Sequence, residues 1–183
     1  MTHTLLLIDI QNDYFPGGTM TLVGMEQAAH HAQTLLAHAR ARGWSVVHVQ
    51  HLAARPGATF FLPGTPGAEH HPSVAPQAGE TVIVKHFPNA FRNSALATAL
   101  PPADLTQLVV VGAMSHMCID ATTRAAFDLG YQCTVLADAC ATRDLLYNGD
   151  TLPAAQVHAA FMAGLAAPFA RVIATTTLLT ESA

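Results

Sequence analysis

The central segment of the chain reads Leu108-Val109-Val110-Val111-Gly112-Ala113-Met114-Ser115-His116-Met117-Cys118-Ile119-Asp120. Its continuous apolar run is typical of a strand buried on both faces, and the residues from about His116 predict a helix that ends before Gly130. Cys118 stands at the start of that helix, where unpaired N–H groups and the helix dipole favour a thiolate. We therefore predict a reactive thiol beside a turn between a buried strand and a helix.

Apolar runs and helical patterns alternate on both sides of this segment. The predicted strands are 4–8, 44–50, 81–84, 108–111, 132–136 and 171–174, with a short polar tail after the last. The predicted helices are 24–42, a short one from 93 or 94 that Pro101 closes, 116–129 and 153–169. This alternation predicts an α/β fold with a parallel sheet covered by helices on both faces. We expect one domain over residues 1–183, with a long Pro-rich loop at 52–80.

Composition excludes several classes of function. The chain is 51% hydrophobic and 11% charged, which argues against disorder and indicates a covered sheet or an apolar subunit interface. The net charge of −4, without a basic run, argues against nucleic acid as a partner. No stretch is long enough to span a membrane, and no signal segment is apparent. We expect a cytoplasmic protein, whose three cysteines lack disulfide or zinc spacing.

Polar residues follow the predicted strands. Asp9, His51, Lys85 and Cys118 come at or just after the ends of the first four strands, and Asp138 follows the fifth. Ligands of such sheets bind outside the carboxyl ends of the strands. We therefore expect these side chains to share one edge.

Three of these residues have the chemistry of a cysteine hydrolase. Cys118 can act as the nucleophile, Asp9 can take and return its proton, and Lys85 can orient Asp9 and favour the thiolate. Backbone N–H groups at the turn can bind the oxyanion. Taken singly, each residue has a plainer interpretation: a small buried side chain, a turn carboxylate, or a solvated lysine.

Aromatic residues are concentrated in sequence near the acid, the long loop and the lysine. Their rings can form apolar walls that exclude water, although loop anchoring or a subunit interface explains Phe60 and Phe61 equally well. The predicted substrate pocket comprises Gln11, Phe15, His51, Phe87, Phe91, Ser115 and Met117.

Three segments together resemble one known family. They are Leu6-Leu7-Ile8-Asp9-Ile10-Gln11-Asn12-Asp13-Tyr14-Phe15, Val84-Lys85 with Asn89-Ala90-Phe91, and the stretch from Gly112 to Asp120. In this order, across nearly the whole chain, they are similar to the isochorismatase-like cysteine hydrolases. The resemblance implies a three-layer, Rossmann-like fold with a six-stranded parallel sheet.

The resemblance also implies roles for individual residues. The catalytic aspartate, lysine and cysteine of the family fall on Asp9, Lys85 and Cys118. The family carries a cis peptide before its cysteine motif, here between Ala113 and Met114. That conformation would aim the amides of Met114 and Cys118 at one oxyanion.

Members of the family suggest the substrate class. They include nicotinamidases, N-carbamoylsarcosine amidases and streptothricin hydrolases, and Cys118 favours amide hydrolysis, since the isochorismatases proper lack this cysteine. Nicotinamidases bind a metal through Asp-x-His, but this chain reads Val49-Gln50-His51, so we expect no metal and no cofactor. Within the family, the motif Met-Ser-His-Met-Cys-Ile-Asp most resembles that of streptothricin-hydrolase-like members.

These arguments predict a cysteine-dependent hydrolase that cleaves a C–N bond of a small amide, carbamoyl or lactam-type substrate through a thioester. Alternatives are an isochorismatase-type hydrolase of another small metabolite, or a thiol redox sensor that uses Cys118. A non-catalytic binding module fits the intact Asp/Lys/Cys set less well. We expect a homo-oligomer in which the loop 52–80 could cross to a neighbouring subunit.

Overall fold

A six-stranded parallel sheet forms the centre of the protein, in a computed structural model that describes residues 2–182. Its strands are β1 (Thr2–Ile8), β2 (Ser45–His51), β3 (Thr81–Lys85), β4 (Thr106–Ala113), β5 (Gln132–Ala141) and β8 (Arg171–Ile173). Their spatial order is β3-β2-β1-β4-β5-β8. Two short strands, β6 (Leu145–Tyr147) and β7 (Asp150–Leu152), form a separate antiparallel hairpin. The predicted α/β fold with a parallel sheet is confirmed.

Helices cover both faces of the sheet. They are α1 (Met25–Ala41), α2 (Leu96–Ala99), α3 (Asp120–Asp128), α4 (Ala154–Leu165) and α5 (Thr175–Glu181). Apolar residues of α1 and α5 belong to one core cluster, and those of α2, α3 and α4 belong to the cluster on the opposite face. The result is the three-layer arrangement that the sequence predicted. Within residues 2–182, none of the helices combines the length and apolarity needed to cross a membrane.

The two central strands have no polar face. Leu5, Leu6, Leu7 and Ile8 of β1 are at most 2% exposed, and the apolar run of β4 that pairs with them is fully buried. Each such side chain contributes about 1.5–3 kcal/mol when it leaves water. Burial on both faces explains why these strands are continuous apolar runs rather than alternating ones.

The strand order reverses between β1 and β4, and this switch point positions the candidate site. Asp9 follows β1 directly, and its N–H still donates to the carbonyl of Val49 in β2, at 3.0 Å. Its φ of 55° turns the chain out of the strand at that point, a conformation that Asp tolerates better than most residues. Crevices at such switch points are where open α/β sheets bind ligands.

The C-terminal part of the chain differs from the prediction. Strand β5 extends to Ala141, so Asp138 lies within it, and its carboxylate accepts a 2.8 Å hydrogen bond from the N–H of Thr175. The predicted polar tail is wrong, because this contact begins α5 and Leu178 of that helix is buried in the core. The hairpin was not predicted either, and its Leu146 is 75% exposed.

The long Pro-rich segment 52–80 lies against the edge of its own sheet. His70 forms an isolated antiparallel bridge with Gln11, and the N–H of His71 donates to the carbonyl of Ile10 at 2.9 Å. The segment therefore joins the chain leaving β1 and contributes to the surroundings of the candidate site. A crossing to a neighbouring subunit stays a prediction.

One glycine allows β1 and β4 to meet at the switch point. Gly112 has a φ of 127°, and a Cβ atom at this position would overlap the carbonyl oxygen of Ile8. The backbone therefore excludes any larger residue here on two grounds, its conformation and its close approach to β1.

Replacing Gly112 with alanine should destabilise the protein by about 3 kcal/mol or more, because overpacking adds to the cost of positive φ. Gly57→Ala is the matched control, since Gly57 has a φ of 76° with open space around its Cβ position. That control should lose only about 1–2 kcal/mol. Urea unfolding measures both, and equal losses would contradict the close-approach argument.

Candidate active site

The ammonium group of Lys85 is the centre of the candidate site. Its Nζ lies 2.7 Å from Oδ2 of Asp9, 3.2 Å from Sγ of Cys118 and 2.8 Å from Nδ1 of His51. An ammonium has three N–H donors and no acceptor, so these three contacts use all of its hydrogen-bonding capacity. The structure thus brings together four residues that the sequence placed at the ends of β1, β2, β3 and just after β4.

The group is buried. Asp9 and Lys85 are fully inaccessible, and Cys118 is 4% exposed. Charges in such surroundings are costly unless they are paired, and removing one partner leaves the other uncompensated. Oδ1 of Asp9 has no protein partner among the described residues, so this carboxylate keeps one free acceptor within the site.

Burial and charge set the protonation states. Burial lowers the pKa of Lys85, but the Asp9 carboxylate and Cys118 together outweigh it, so the net pKa is raised and the amine stays protonated. Burial and then the Asp9 charge raise the pKa of the Cys118 thiol, while Lys85 opposes them. The resting sulfur is therefore a thiol. This protonation state matches the expected role of Asp9 as the group that takes the thiol proton, and burial and the Asp9 charge oppose the tendency of a helix start to favour the thiolate.

Cys118 lies within a π-helical turn, Ser115–Ile119, that precedes α3. The N–H of Ile119 donates to the carbonyl of Met114 at 3.3 Å, which closes this wide turn. The regular helix predicted from about His116 begins only at Asp120. The peptide between Ala113 and Met114 is cis, and the Met114 N–H has no hydrogen-bond partner among residues 2–182.

Ser115 fixes this turn to the neighbouring layer. Its hydroxyl contacts the carbonyl of Ala141 at 3.2 Å and Nδ1 of His158 at 2.8 Å. The side chain is fully buried and directed towards β5 and α4. Its hydrogen bonds therefore position the cysteine turn.

His51 is held on two sides. Both the N–H and the carbonyl of its backbone are bonded to the Gln11 side-chain amide, at 2.7 and 2.9 Å. Its ring lies 5.8 Å from the ring of Phe61, measured between centroids. Burial, followed by the positive charge of Lys85, lowers the pKa of His51 to about 4, so the ring is neutral at pH 7. Gln11 also donates to the carbonyl of Ala68 at 2.7 Å and thus braces the site.

The other predicted pocket residues are more dispersed. Phe15 stacks on His71 at 3.7 Å, and both line a surface cavity of about 610 Å³ that contains none of Asp9, Lys85 and Cys118. This cavity lies between segments 12–19 and 59–72, beside the candidate site rather than at its charged centre.

Two further phenylalanines and one methionine lie closer to the surface. The guanidinium carbon of Arg92 lies 3.8 Å above the ring of Phe87. Phe91 stacks against Tyr131 at 6.2 Å and packs on the second core cluster. Met117, next to the cysteine, is 39% exposed. Phe91 thus packs on the same core cluster that contains Cys118, and Met117 precedes that cysteine in the turn.

Sequence reasoning gave no role to Asp13 and Tyr14, which shape the site, and left two explanations open for Phe61. Tyr14 is buried next to Phe61, and burial is the main cause that raises the pKa of its phenol, with the Asp9 charge acting in the same direction. Asp13 accepts a 2.6 Å hydrogen bond from the N–H of Phe61 and fixes this ring beside His51. Asp13 and Tyr14 belong to the first quoted motif, which was a usable signal. For Phe61, the concentration of aromatic residues in sequence was the signal, but it did not separate a wall of the site from loop anchoring.

The same group has the ligand types of a metal site. One ligand atom from each of Asp9, His51 and Cys118 lies within 4.8 Å of the others. Lys85 Nζ is within hydrogen-bonding distance of all three residues, so the chain itself supplies a cation among these groups. Nicotinamidases have an aspartate where this chain has Val49, and the residues here do not fit that metal motif.

Comparison with known proteins identifies the family of this chain. The family model described as the isochorismatase domain matches residues 3–177. An uncharacterized isochorismatase family protein of Bacillus subtilis, YddQ, is 51% identical, and the alignment covers 98% of this chain and 99% of the length of YddQ. A streptothricin hydrolase of Streptomyces noursei is 38% identical, over 84% of this chain and 55% of its own. A maleamate amidohydrolase of Pseudomonas putida is 31% identical, over 76% of this chain and 72% of its own.

The fold has a close counterpart among solved structures. A crystal structure from Oleispira antarctica, assigned to the isochorismatase hydrolases, superposes with a TM-score of 0.92 and 54% identity. The alignment covers 98% of this chain and 96% of that one. Fold and site together define a parallel α/β protein with a buried cysteine at its switch point. The chain belongs to the isochorismatase-like hydrolase family, as its motifs predicted.

The buried neutral histidines predict a loss of stability in mild acid. Burial lowers the pKa of both His51 and His70 to about 4, below the value of about 6.5 in the unfolded chain. Between these values the unfolded state binds more protons, so stability falls as the pH drops from 6.5 towards 4. The urea midpoint should therefore be lower at pH 5 than at pH 7.

His51→Gln should remove part of this pH dependence, because it removes one of the histidines whose pKa burial lowers. His30→Gln is the control, since the His30 side chain is exposed on α1. An identical pH dependence in the native protein and His51→Gln would contradict the assignment.

Proposed function

We propose that this protein is a cysteine-dependent hydrolase that cleaves a C–N bond of a small amide, carbamoyl or lactam-type substrate. The observation that carries the proposal is the contact of one buried ammonium, Lys85, with both the Asp9 carboxylate and the Cys118 sulfur. The membership of the family and the relative named a maleamate amidohydrolase support the amide class.

The first step transfers a proton and forms a covalent bond. Asp9 takes the proton of the Cys118 thiol, and the sulfur attacks the carbonyl carbon of the substrate. The raised pKa of the thiol suits this order, because the proton leaves the sulfur as the nucleophile is used. The oxyanion that forms accepts hydrogen bonds from the amides of Met114 and Cys118.

The second step restores the enzyme. The tetrahedral intermediate collapses, the C–N bond breaks, and Asp9 gives its proton to the leaving amine. Water then adds to the thioester, Asp9 takes one of its protons, and the acid leaves as the thiol is regenerated. The sum is amide plus water giving carboxylic acid plus amine, with no cofactor in the balance.

Lys85 contacts both groups that carry the negative charge in turn, Asp9 and Cys118. While Asp9 is ionised, Lys85 pairs with it, and when the proton moves to Asp9, Lys85 still faces the new thiolate at 3.2 Å. A single cation thus stabilises the negative charge on either side of the proton transfer, without moving.

The redox-sensor alternative has less support. The three cysteines are free, and Cys133 and Cys140 are buried within the β5 strand. A sensor needs an accessible thiol of low pKa, whereas Cys118 is 4% exposed and burial, followed by the Asp9 charge, raises its pKa. Burial also raises the pKa of Cys133 and that of Cys140 to about 12 each. The hydrolase therefore remains the proposal.

A panel of amides, ureides and lactams, assayed for release of ammonia, amine or acid, tests the activity. With any substrate found, Cys118→Ala should lower kcat at least about 10³-fold, because the nucleophile is removed. Asp9→Asn should lower it about 10²–10⁴-fold through loss of the proton carrier.

Cys133→Ala is the matched control, as it removes another buried thiol outside the site. It should keep full activity, and circular dichroism should show that all three variants fold. Undiminished turnover by folded Cys118→Ala would refute the mechanism, and mass spectrometry of the trapped acyl-enzyme should locate the thioester on Cys118.

A further inference from the structure

His51 contacts the charged group but has no part in the steps above. It ends β2, its Nδ1 lies 2.8 Å from Lys85 Nζ, and the same atom is 4.0 Å from Oδ2 of Asp9. Its side chain keeps 18% exposure, whereas those of Asp9 and Lys85 have none. Of these three side chains, only that of His51 reaches solvent.

The contact with Lys85 determines where the imidazole carries its proton. An ammonium can only donate, so Nδ1 of His51 must accept and cannot hold a hydrogen. In the neutral ring the single proton then resides on Nε2. Nε2 has no hydrogen-bond partner among residues 2–182, and it is not among their fully buried unsatisfied atoms.

The direction of this N–H is also fixed. Gln11 binds both backbone groups of His51, and Phe61, itself tied to Asp13, packs on the ring. These contacts hold the His51 residue at its backbone, at its ring face and at Nδ1. Its Nε2–H is therefore already oriented before a ligand binds. Preorganised donors of this kind give the largest discrimination between ligands.

We propose that His51 is a specificity-determining residue, which presents its Nε2–H to a hydrogen-bond acceptor of the substrate close to the reacting carbonyl. The substrate class then narrows to small amides that carry a second acceptor, such as a carboxylate, a carbonyl or a ring nitrogen. The identity of the reacting group, an amide, rests on the proposed function. The identity of the donor, Nε2–H, rests on the contact between Lys85 and Nδ1 of His51.

The tautomer can be measured directly. With ¹⁵N-labelled histidine, NMR at pH 7 should show His51 protonated at Nε2 and bare at Nδ1, and His51→Gln assigns the signal. In Lys85→Met this preference should relax towards a mixture of tautomers, because the donor to Nδ1 is gone. A proton on Nδ1 in the native protein would overturn the proposal.

Recognition can be measured with aldehydes, which need no turnover. The Cys118 sulfur adds to the aldehyde carbon and the thiol proton passes to the aldehyde oxygen, so the thiohemiacetal contains all atoms of both reactants. Benzaldehyde and the three pyridinecarboxaldehydes have the same shape and differ by one ring acceptor. Binding is measured by the protection of Cys118 from alkylation.

Two variants separate the two nitrogens. His51→Gln places an amide N–H as many bonds from Cβ as Nε2, whereas His51→Asn places an acceptor as many bonds from Cβ as Nδ1. In the native protein at least one pyridine isomer should be preferred over benzaldehyde. That preference should fall about tenfold in His51→Asn and largely persist in His51→Gln. His86→Gln is the control and should match the native protein.

The outcomes separate the two proposals. An unchanged preference in His51→Asn, with aldehydes still bound at Cys118, overturns the role of His51 and leaves the hydrolase proposal intact. Failure of every aldehyde to protect Cys118, together with full turnover by Cys118→Ala, overturns the proposed function and the substrate class inferred from it. In that case the NMR measurement of the His51 tautomer still tests the contact between Lys85 and Nδ1 of His51.

Discussion

The buried ammonium of Lys85 is the interaction on which the rest of the site depends. It lies at the end of an edge strand, yet it is fully inaccessible because groups from three other parts of the chain surround it. A lone ammonium in such a place would lose its proton. Its three acceptors keep it charged, and it in turn fixes the orientation of an acid, a thiol and an imidazole.

The sheet topology brings these groups together. Asp9 and the turn that carries Cys118 leave the sheet on opposite sides of the switch point, and the Gly112 backbone lets β4 approach the end of β1 closely. Lys85 reaches the same place from β3 because the parallel register places it directly opposite His51 in β2. The order and register of the strands thus determine which of these side chains meet at the switch point.

The fold and the charged centre were predictable because both depend on local patterns. Buried parallel strands are apolar runs, and residues such as Asp9 and Lys85 mark where those runs end. The α5 helix was missed because Thr175, Thr176 and Thr177 are poor helix formers, and tertiary packing of Leu178 overrides that preference. The hairpin carries exposed apolar residues that give no periodic signal.

The parts of the site that escaped prediction are contacts between distant segments. No pattern around Phe61 shows that its N–H will meet a carboxylate far earlier in the chain. Likewise, the state of the Cys118 thiol depends on burial and on Asp9, neither of which is visible at the start of a helix. Position in the sequence located the groups, but only the assembled structure shows the burial and the charge that raise the pKa of Cys118.

The anchor at Asp13 has a consequence for how this protein can diverge. Asp13 also accepts hydrogen bonds from the N–H and the hydroxyl of Thr19, so one carboxylate ties two loops together. It divides the segment 52–80 into shorter spans, and doubling the length of a span costs only about 0.6 kcal/mol in closure entropy. Insertions on either side of Phe61 should therefore lower the stability only slightly, while the Phe61 ring stays beside His51. The chain can change the outline of its pocket without disturbing the charged centre.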